Sequence, residues 1–360
     1  MRRISVENAQ LGMTLARAVY DTLGKLVLDG GTVLDVAHLP LLSRLEVGSI
    51  TVQDPRVDDV IIVPLISEEV EAQGVRLVHR LLSGNHGGLP EHVNLDLVAV
   101  GRIVKIMTQG FYSTFMGEIN LEGCKSRGNY EYIHPVKVAE LSLLMGKEAG
   151  LSHTDLDSLA KAALLENIGY ILLPDGFVAN LDASAEERSP EFRKHPELGY
   201  QILSRHRELD TRVAEAVWQH HERWNGSGFP QGLKGDKISP FARIIAIAST
   251  YHALVSQRRG QQPYSPPEAA EFIVAYSGEL FDPELVQTFI RNVPLYPKGV
   301  MVKLNSGEKG IVTDTNVGYI GRPVVRICYD RNGGVVQKPY DIDLTRQDQQ
   351  NKMIIAILDY

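Results

Sequence analysis

His220-His221-Glu222-Arg223-Trp224-Asn225-Gly226-Ser227-Gly228-Phe229-Pro230-Gln231-Gly232-Leu233-Lys234-Gly235 is the stretch that decides the fold. Two adjacent histidines close a helix whose apolar positions include Val213 and Val217. Adjacent helical residues point about 100° apart, so tandem imidazoles can border one cluster from two sides. The glycine-rich run that follows admits positive φ and close backbone approach.

Two further histidines upstream match this setting. His195-Pro196 opens a helix, with proline at the favoured first position. His134-Pro135 is read as opening another, whose inward face carries Val138, Leu141 and Met145. Neutral imidazoles are ligands for zinc, iron and manganese, and helices can converge several of them on one point. Four histidines at helix boundaries in one helical region make a shared site as good a reading as four separately satisfied side chains. Between them, Gly150 fits a helix stop and Ser152 an N-cap, with Asp155 three residues on. Leu156, Ala160, Ala163 and Asn167 then share one helix face, which puts Asn167 on the inward stripe.

The chain divides by texture into three expected domains: 1–67, 68–293 and 294–360. The first is a small α+β module with strands at Val19-Tyr20, Leu26-Val27-Leu28 and Ile50-Thr51-Val52, and a short helix from Val36 to Leu45 that contains Pro40. The second is all-α. Val70, Leu77 and Leu81 begin its helical stripe, and Gly74 lies on the same stripe. The third is a small β domain, with strands near Val300–Leu304, Gly310–Val312, Pro323–Ile327 and Met353–Leu358.

The net charge of −7 disfavours binding to a nucleic-acid polymer through a global basic surface. No apolar run is long enough to span a bilayer. Cys124 and Cys328 stand in no metal-like spacing, read as ordinary thiols, and fit a reducing cytoplasm.

From Asn129 to Phe289 the chain resembles, in long blocks, the HD-GYP family, whose pattern over the opening stretch is HHE-R-x-DGSGYP-x-GL-x-G. The resemblance implies an all-helical HD-type bundle. It also implies hydrolysis of cyclic-di-GMP by two or three iron or manganese ions. His134, His195, His220 and His221 match the family's histidine ligands. The defining His-Asp pair falls on Glu166-Asn167, the following lysine on Tyr170, and a later aspartate on Ser249, with another on His252. Tyr130 stands where some members place a carboxylate for a third metal, and Phe229 stands where the family has tyrosine. Arg258 matches a phosphate-contacting base, while Gly260 and Gln261 replace a tyrosine and an arginine. Lys234 is a second candidate ligand-binding residue. Gly228, Phe229 and Pro230 form a candidate interaction loop.

Buried divalent cations need carboxylates to offset the cost of removing them from water. Asn167 and Ser249 provide none, Glu166 provides one if its side chain reaches, and Tyr170 carries no positive charge near neutral pH. The expectation is a catalytically degenerate regulatory or binding module of cyclic-di-GMP signalling. Its partners would be proteins such as diguanylate cyclases, with the dinucleotide itself as a further ligand. A working phosphodiesterase with a variant ligand set and a structural scaffold are the alternatives. One divalent ion (iron, manganese or zinc) on His134, His195, His220, His221 and Glu166, or none, stand as equal choices.

Overall fold

β1 (Arg2–Ser5), β2 (Val19–Tyr20), β3 (Leu26–Leu28), α1 (His38–Arg44) and β4 (Ser49–Val52) make up the first region. The computed structural model describes all residues except 84–87, 114–128, 175, 178–182, 184–186, 188, 317, 320 and 359–360. β1 pairs antiparallel with β4, and β2 with β3. The β2–β3 turn is tied by the Asp21 carboxylate, which accepts from the backbone N–H of Leu23 at 2.9 Å and Lys25 at 2.8 Å. Gly24 in this turn has φ +75°, and any Cβ there would collide with the Ala72 carbonyl of the next helix. α1 is shorter than expected but keeps Pro40, because a helix's first-turn N–H groups have no intrahelical partner to lose. Ile4, Leu15, Leu34, Leu42, Ile50 and Val52 form the core of this region.

The helical region contains α2 (Glu68–Leu82), α3 (Leu97–Ser113), α4 (Tyr130–Glu148), α5 (His153–Leu164), α6 (His195–Leu203), α7 (Thr211–Gln219), α8 (Pro240–Val255), α9 (Pro266–Ala275) and α10 (Pro283–Asn292). Ser152 caps α5 by accepting the Asp155 N–H at 3.2 Å, and Gly150 ends α4 with φ +79°. α4 runs through the middle of one continuous core and is buried along most of its length. Gly74 of α2 faces Val136 of α4, and a Cβ there would meet the Val136 side chain at 3.1 Å, so the glycine on the α2 stripe lets the two helices approach closely.

Two local readings are corrected. His134-Pro135 does not open a helix. α4 begins at Tyr130, and Pro135 lies inside it near the first turn, so His134 projects from the body of the helix. Asn167 is not on a helix face either. α5 stops at Leu164, and Asn167 (φ −101°, ψ 15°) leads into a 3-10 turn at Ile168–Leu172.

The last region is a five-stranded antiparallel sheet of order β8-β7-β6-β5-β9. Its strands are β5 (Met301–Leu304), β6 (Lys309–Asp314), β7 (Val324–Tyr329), β8 (Val335–Asp343) and β9 (Ile354–Ile357). β8 was not foreseen. It is a largely exposed edge strand carrying Lys338 and Pro339, so it lacks the alternation of a half-buried strand. The two ends of the chain meet: Val57 and Val60 pack with Met301, Ile311 and Cys328, and Arg326 pairs with Asp59. Cys328 is fully buried and free, whereas Cys124 lies outside the described residues. Among the described residues no helix is long and apolar enough to cross a membrane.

The α2–α4 contact also buries charge. Lys137 Nζ lies 2.6 Å from Glu71 and 3.2 Å from Glu140. Burial pushes the Glu71 carboxyl above the usual glutamate range, against the attraction of Lys137 and with repulsion from Glu140. A carboxyl whose pKa is higher in the fold than in the unfolded chain keeps its proton on folding. The stability this carries is fully present below the unfolded pKa and is lost as pH rises through the folded one. Glu71→Gln is neutral throughout. Melting curves should therefore show the parent losing stability relative to Glu71→Gln as pH rises from about 5 to about 9. A difference that does not change with pH would contradict this.

Candidate metal centre

The 3-10 turn after α5 and the start of α6 meet at two glycines. A Cβ on Gly169 would collide with the His195 carbonyl oxygen, and one on Gly199 would press on Val217 at 2.8 Å. This contact brings the Glu166–Tyr170 segment against His195, the first residue of α6. His195 is fully buried, and its Nδ1 donates to the Phe192 carbonyl at 2.6 Å. His220 caps the C-terminus of α7, is 2% exposed, and its Nδ1 donates to the Val217 carbonyl at 2.7 Å. With both Nδ1–H groups committed, the two Nε2 atoms carry lone pairs and face each other at 3.1 Å.

His221 completes this group: one ring nitrogen from each of His195, His220 and His221 lies within 4.8 Å of the others. The His221 ring stacks on Phe229, with centroids 4.6 Å apart and planes inclined by 12°. The loop that brings Phe229 there depends on Gly228, where any Cβ would strike the Arg223 N and the His221 carbonyl. Glu222, 1% exposed, clamps the loop by accepting from the backbone N–H of Gln231 at 2.7 Å and Leu233 at 2.9 Å. The role of Glu222 was missed. Its signal was a lone carboxylate at the head of a glycine-rich loop whose buried N–H groups need acceptors.

A second group sits beside the first. His134, on α4, has Nδ1 2.7 Å from the Tyr130 hydroxyl and 2.8 Å from His252 Nδ1. Its Nε2 is 3.1 Å from Ser249 Oγ and 3.0 Å from Glu166 Oε1. Glu166 is fully buried, and among the described residues neither of its oxygens has a hydrogen-bond partner of good geometry. Burial pushes its carboxyl up to about 8, with His220 near enough to oppose the shift. Glu166 thus touches His134 and lies near His220. Burial also lowers the imidazoles: His134, His195 and His252 fall well below the ordinary histidine range, and His220 to about 3. All four are neutral, ligand-competent bases at pH 7.

This arrangement fits a divalent transition ion. Bare Nε2 lone pairs 3.1 Å apart repel unless a cation or proton lies near both, and an Nδ1–H bonded to a backbone carbonyl is the usual support of a metal-ligating histidine. Glu166, buried beside His134, is a carboxyl that a cation would deprotonate.

A cavity of about 310 Å³ opens onto both groups, lined among others by His134, Asn167, Tyr170, His221, Ser249 and Arg258. Tyr170 has its ring 4.8 Å from that of His195, and the Arg258 guanidinium lies 4.6 Å from the Tyr130 ring centroid. Lys234 is exposed and does not line the cavity. Phe229 is 5% exposed, so with Gly228 it belongs to the wall of the site; of the candidate interaction loop only Pro230 is exposed. His252 is fully buried behind His134.

Residues 119–285 match the HD domain family, and residues 301–359 match the KOW domain associated with HD domain. A cyclic di-GMP phosphodiesterase of Pseudomonas aeruginosa is 29% identical over 239 residues, which is 66% of this chain and 57% of that protein. A cyclic di-GMP phosphodiesterase of Thermotoga maritima is 35% identical over 159 residues, 44% of this chain and 43% of that protein. The chain therefore spans less than two thirds of either relative. Among solved structures, an HDG"Y"P protein from Bdellovibrio bacteriovorus aligns over 80% of this chain and 97% of its own, at 17% identity and a TM-score of 0.45. With the histidine geometry and these matches together, residues 119–285 are an HD domain similar to those of HD-GYP cyclic di-GMP phosphodiesterases.

Proposed function

We propose that this protein hydrolyses a phosphodiester bond of cyclic di-GMP at a metal centre with a variant ligand set. The observation that carries the reading is the His195–His220 pair, with Nε2 atoms facing at 3.1 Å beside the orphaned Glu166 carboxyl. The position that holds histidine in the family pattern supplies a carboxylate here, 3.0 Å from His134 and near His220. His195, His220, His221 and Glu166 would hold the ion, with His134 on the far side of Glu166. When bound, a divalent ion supplies Lewis-acid polarisation of a phosphoryl oxygen and water activation.

The remaining steps fall to the chain. The neutral imidazoles offer lone pairs without first losing a proton. Arg258 and Tyr170, both in the cavity wall, donate to phosphate oxygens. The low dielectric around Glu166 strengthens every such contact. Asn167, Tyr170 and Ser249 favour a second reading, because they remove charges that the family pattern carries. In that reading the site binds the dinucleotide without turning it over, and the protein acts on signalling partners such as diguanylate cyclases.

Incubating the purified chain with cyclic di-GMP and manganese, iron or zinc separates the two. The expected result is a linear product formed over many turnovers, with His220→Ala slowing it on the order of a hundredfold or more. Binding without turnover by the metal-loaded, folded protein would overturn hydrolysis and leave the second reading.

Metal uptake carries its own pH signature. Below about pH 8 one proton must leave Glu166 for each ion held, so affinity should tighten up to about tenfold per pH unit from about 6 to 8 and then level off. Calorimetric titration in buffers of different ionisation enthalpy counts that proton. Glu166→Gln should abolish the slope, and a parent affinity that ignores pH would remove Glu166 from the ligand set.

A further inference from the structure

We propose that Arg193 is a phosphate-binding residue of this cavity, presented by Phe229, and that it acts with Arg258 on a ligand bearing two phosphodiesters. Arg193 lies in the 3-10 turn Phe192–Lys194, the turn whose Phe192 carbonyl orients His195. Its backbone is therefore tied to the metal centre. Its guanidinium lies 4.4 Å from the centroid of the Phe229 ring, and that ring stacks on His221 at 4.6 Å. An exposed arginine is usually a solvated surface charge. Arg193 differs in lining the cavity from a fixed shelf while making no ion pair among the described residues. Arg223, in the same wall, is already held by Glu187 at 2.7 Å.

Among the described residues no carboxylate pairs with Arg193. Asn167, Tyr170, Ser249 and the neutral imidazoles dominate the nearby wall, and Glu187 is engaged with Arg223 and sits 3.6 Å from His221. A guanidinium held flat on a ring keeps its N–H edge free for an anion, and it is suited to bidentate contact with a phosphate. The second half of the cavity repeats this construction. Arg258 lies over Tyr130, and the Tyr130 hydroxyl bonds His134 at 2.7 Å. Each group of histidines thus carries an aromatic ring and, on that ring, a guanidinium. Two such anchors in one cavity match a cyclic dinucleotide, with its two separated diesters, better than a ligand with one. Phe229 in the tyrosine position of the family pattern is the shelf for the first anchor.

The substrate class rests on the reading above, so the test separates binding from turnover. Cyclic di-GMP binding to the metal-loaded full chain is measured by calorimetry for the parent, Arg193→Gln and Arg193→Lys, with metal content and melting temperature recorded for each. The expected result is about a tenfold weaker affinity for Arg193→Gln. Arg193→Lys should fall between that variant and the parent, with metal content and melting temperature unchanged in both. Equal affinity of parent and Arg193→Gln overturns this role even if the protein hydrolyses the dinucleotide. Loss of affinity in Arg193→Gln, in a parent that binds without turnover, sustains it while hydrolysis falls. A parent that binds no cyclic di-GMP removes both.

Discussion

Two short hydrogen bonds, from His195 Nδ1 to the Phe192 carbonyl and from His220 Nδ1 to the Val217 carbonyl, govern the centre. Each fixes a tautomer and leaves a bare Nε2, and the packing of α6 on α7 then brings the two lone pairs to 3.1 Å. Neither ring can relieve the contact by taking a proton near neutral pH, because burial holds both pKa values far below the ordinary range. The backbone that supplies the carbonyls, the glycines that let the turns close, and the loop clamped by Glu222 all serve to keep these nitrogens converged. A cavity built this way meets a cation with its ligands already oriented, which is the condition for a well-placed metal in any protein site.

Glu166 can supply a negative charge that four neutral imidazoles lack, once it gives up its proton to a cation. A carboxyl so deeply buried, with no hydrogen-bond partner of good geometry among the described residues, is costly to ionise unless it faces a cation. Its oxygen lies 3.0 Å from His134, and His220 is near enough to oppose its raised pKa. The neutral side chains of Asn167 and Ser249 therefore leave a titratable carboxyl nearby. Asn167 and Ser249 remain in the cavity wall as neutral hydrogen-bonding groups, and Ser249 bonds His134 at 3.1 Å. Arginines on aromatic shelves take up the positive charge that Tyr170 cannot provide.

Much of this was legible in the residues. The helical centre, the β-containing ends and the Ser152 cap follow from periodicity and from proline and glycine placement; periodicity left a shared histidine site open, and three of the four histidines, His195, His220 and His221, come together. What was misread has physical causes. Pro135 looked like a helix start because proline favours the first turn, but α4 absorbs it and begins at Tyr130. Asn167 continued the α5 stripe in register, yet the chain leaves the helix at Leu164, where Gly169 lets the next turn press on α6. β8 was invisible because an exposed edge strand shows no alternation. The stacking of Arg193 on Phe229 joins residues far apart in the chain, and no local pattern announces it.

The central claim is that His195, His220 and His221 hold a divalent ion. Anomalous diffraction from crystals of the full chain grown with manganese or zinc tests it most directly. The account predicts a peak about 2.0–2.3 Å from a ring nitrogen of each of the three histidines, with a Glu166 oxygen turned toward it. Metal-loaded crystals without a peak there, and with the His195 and His220 Nε2 atoms still facing each other at their present separation, would contradict it.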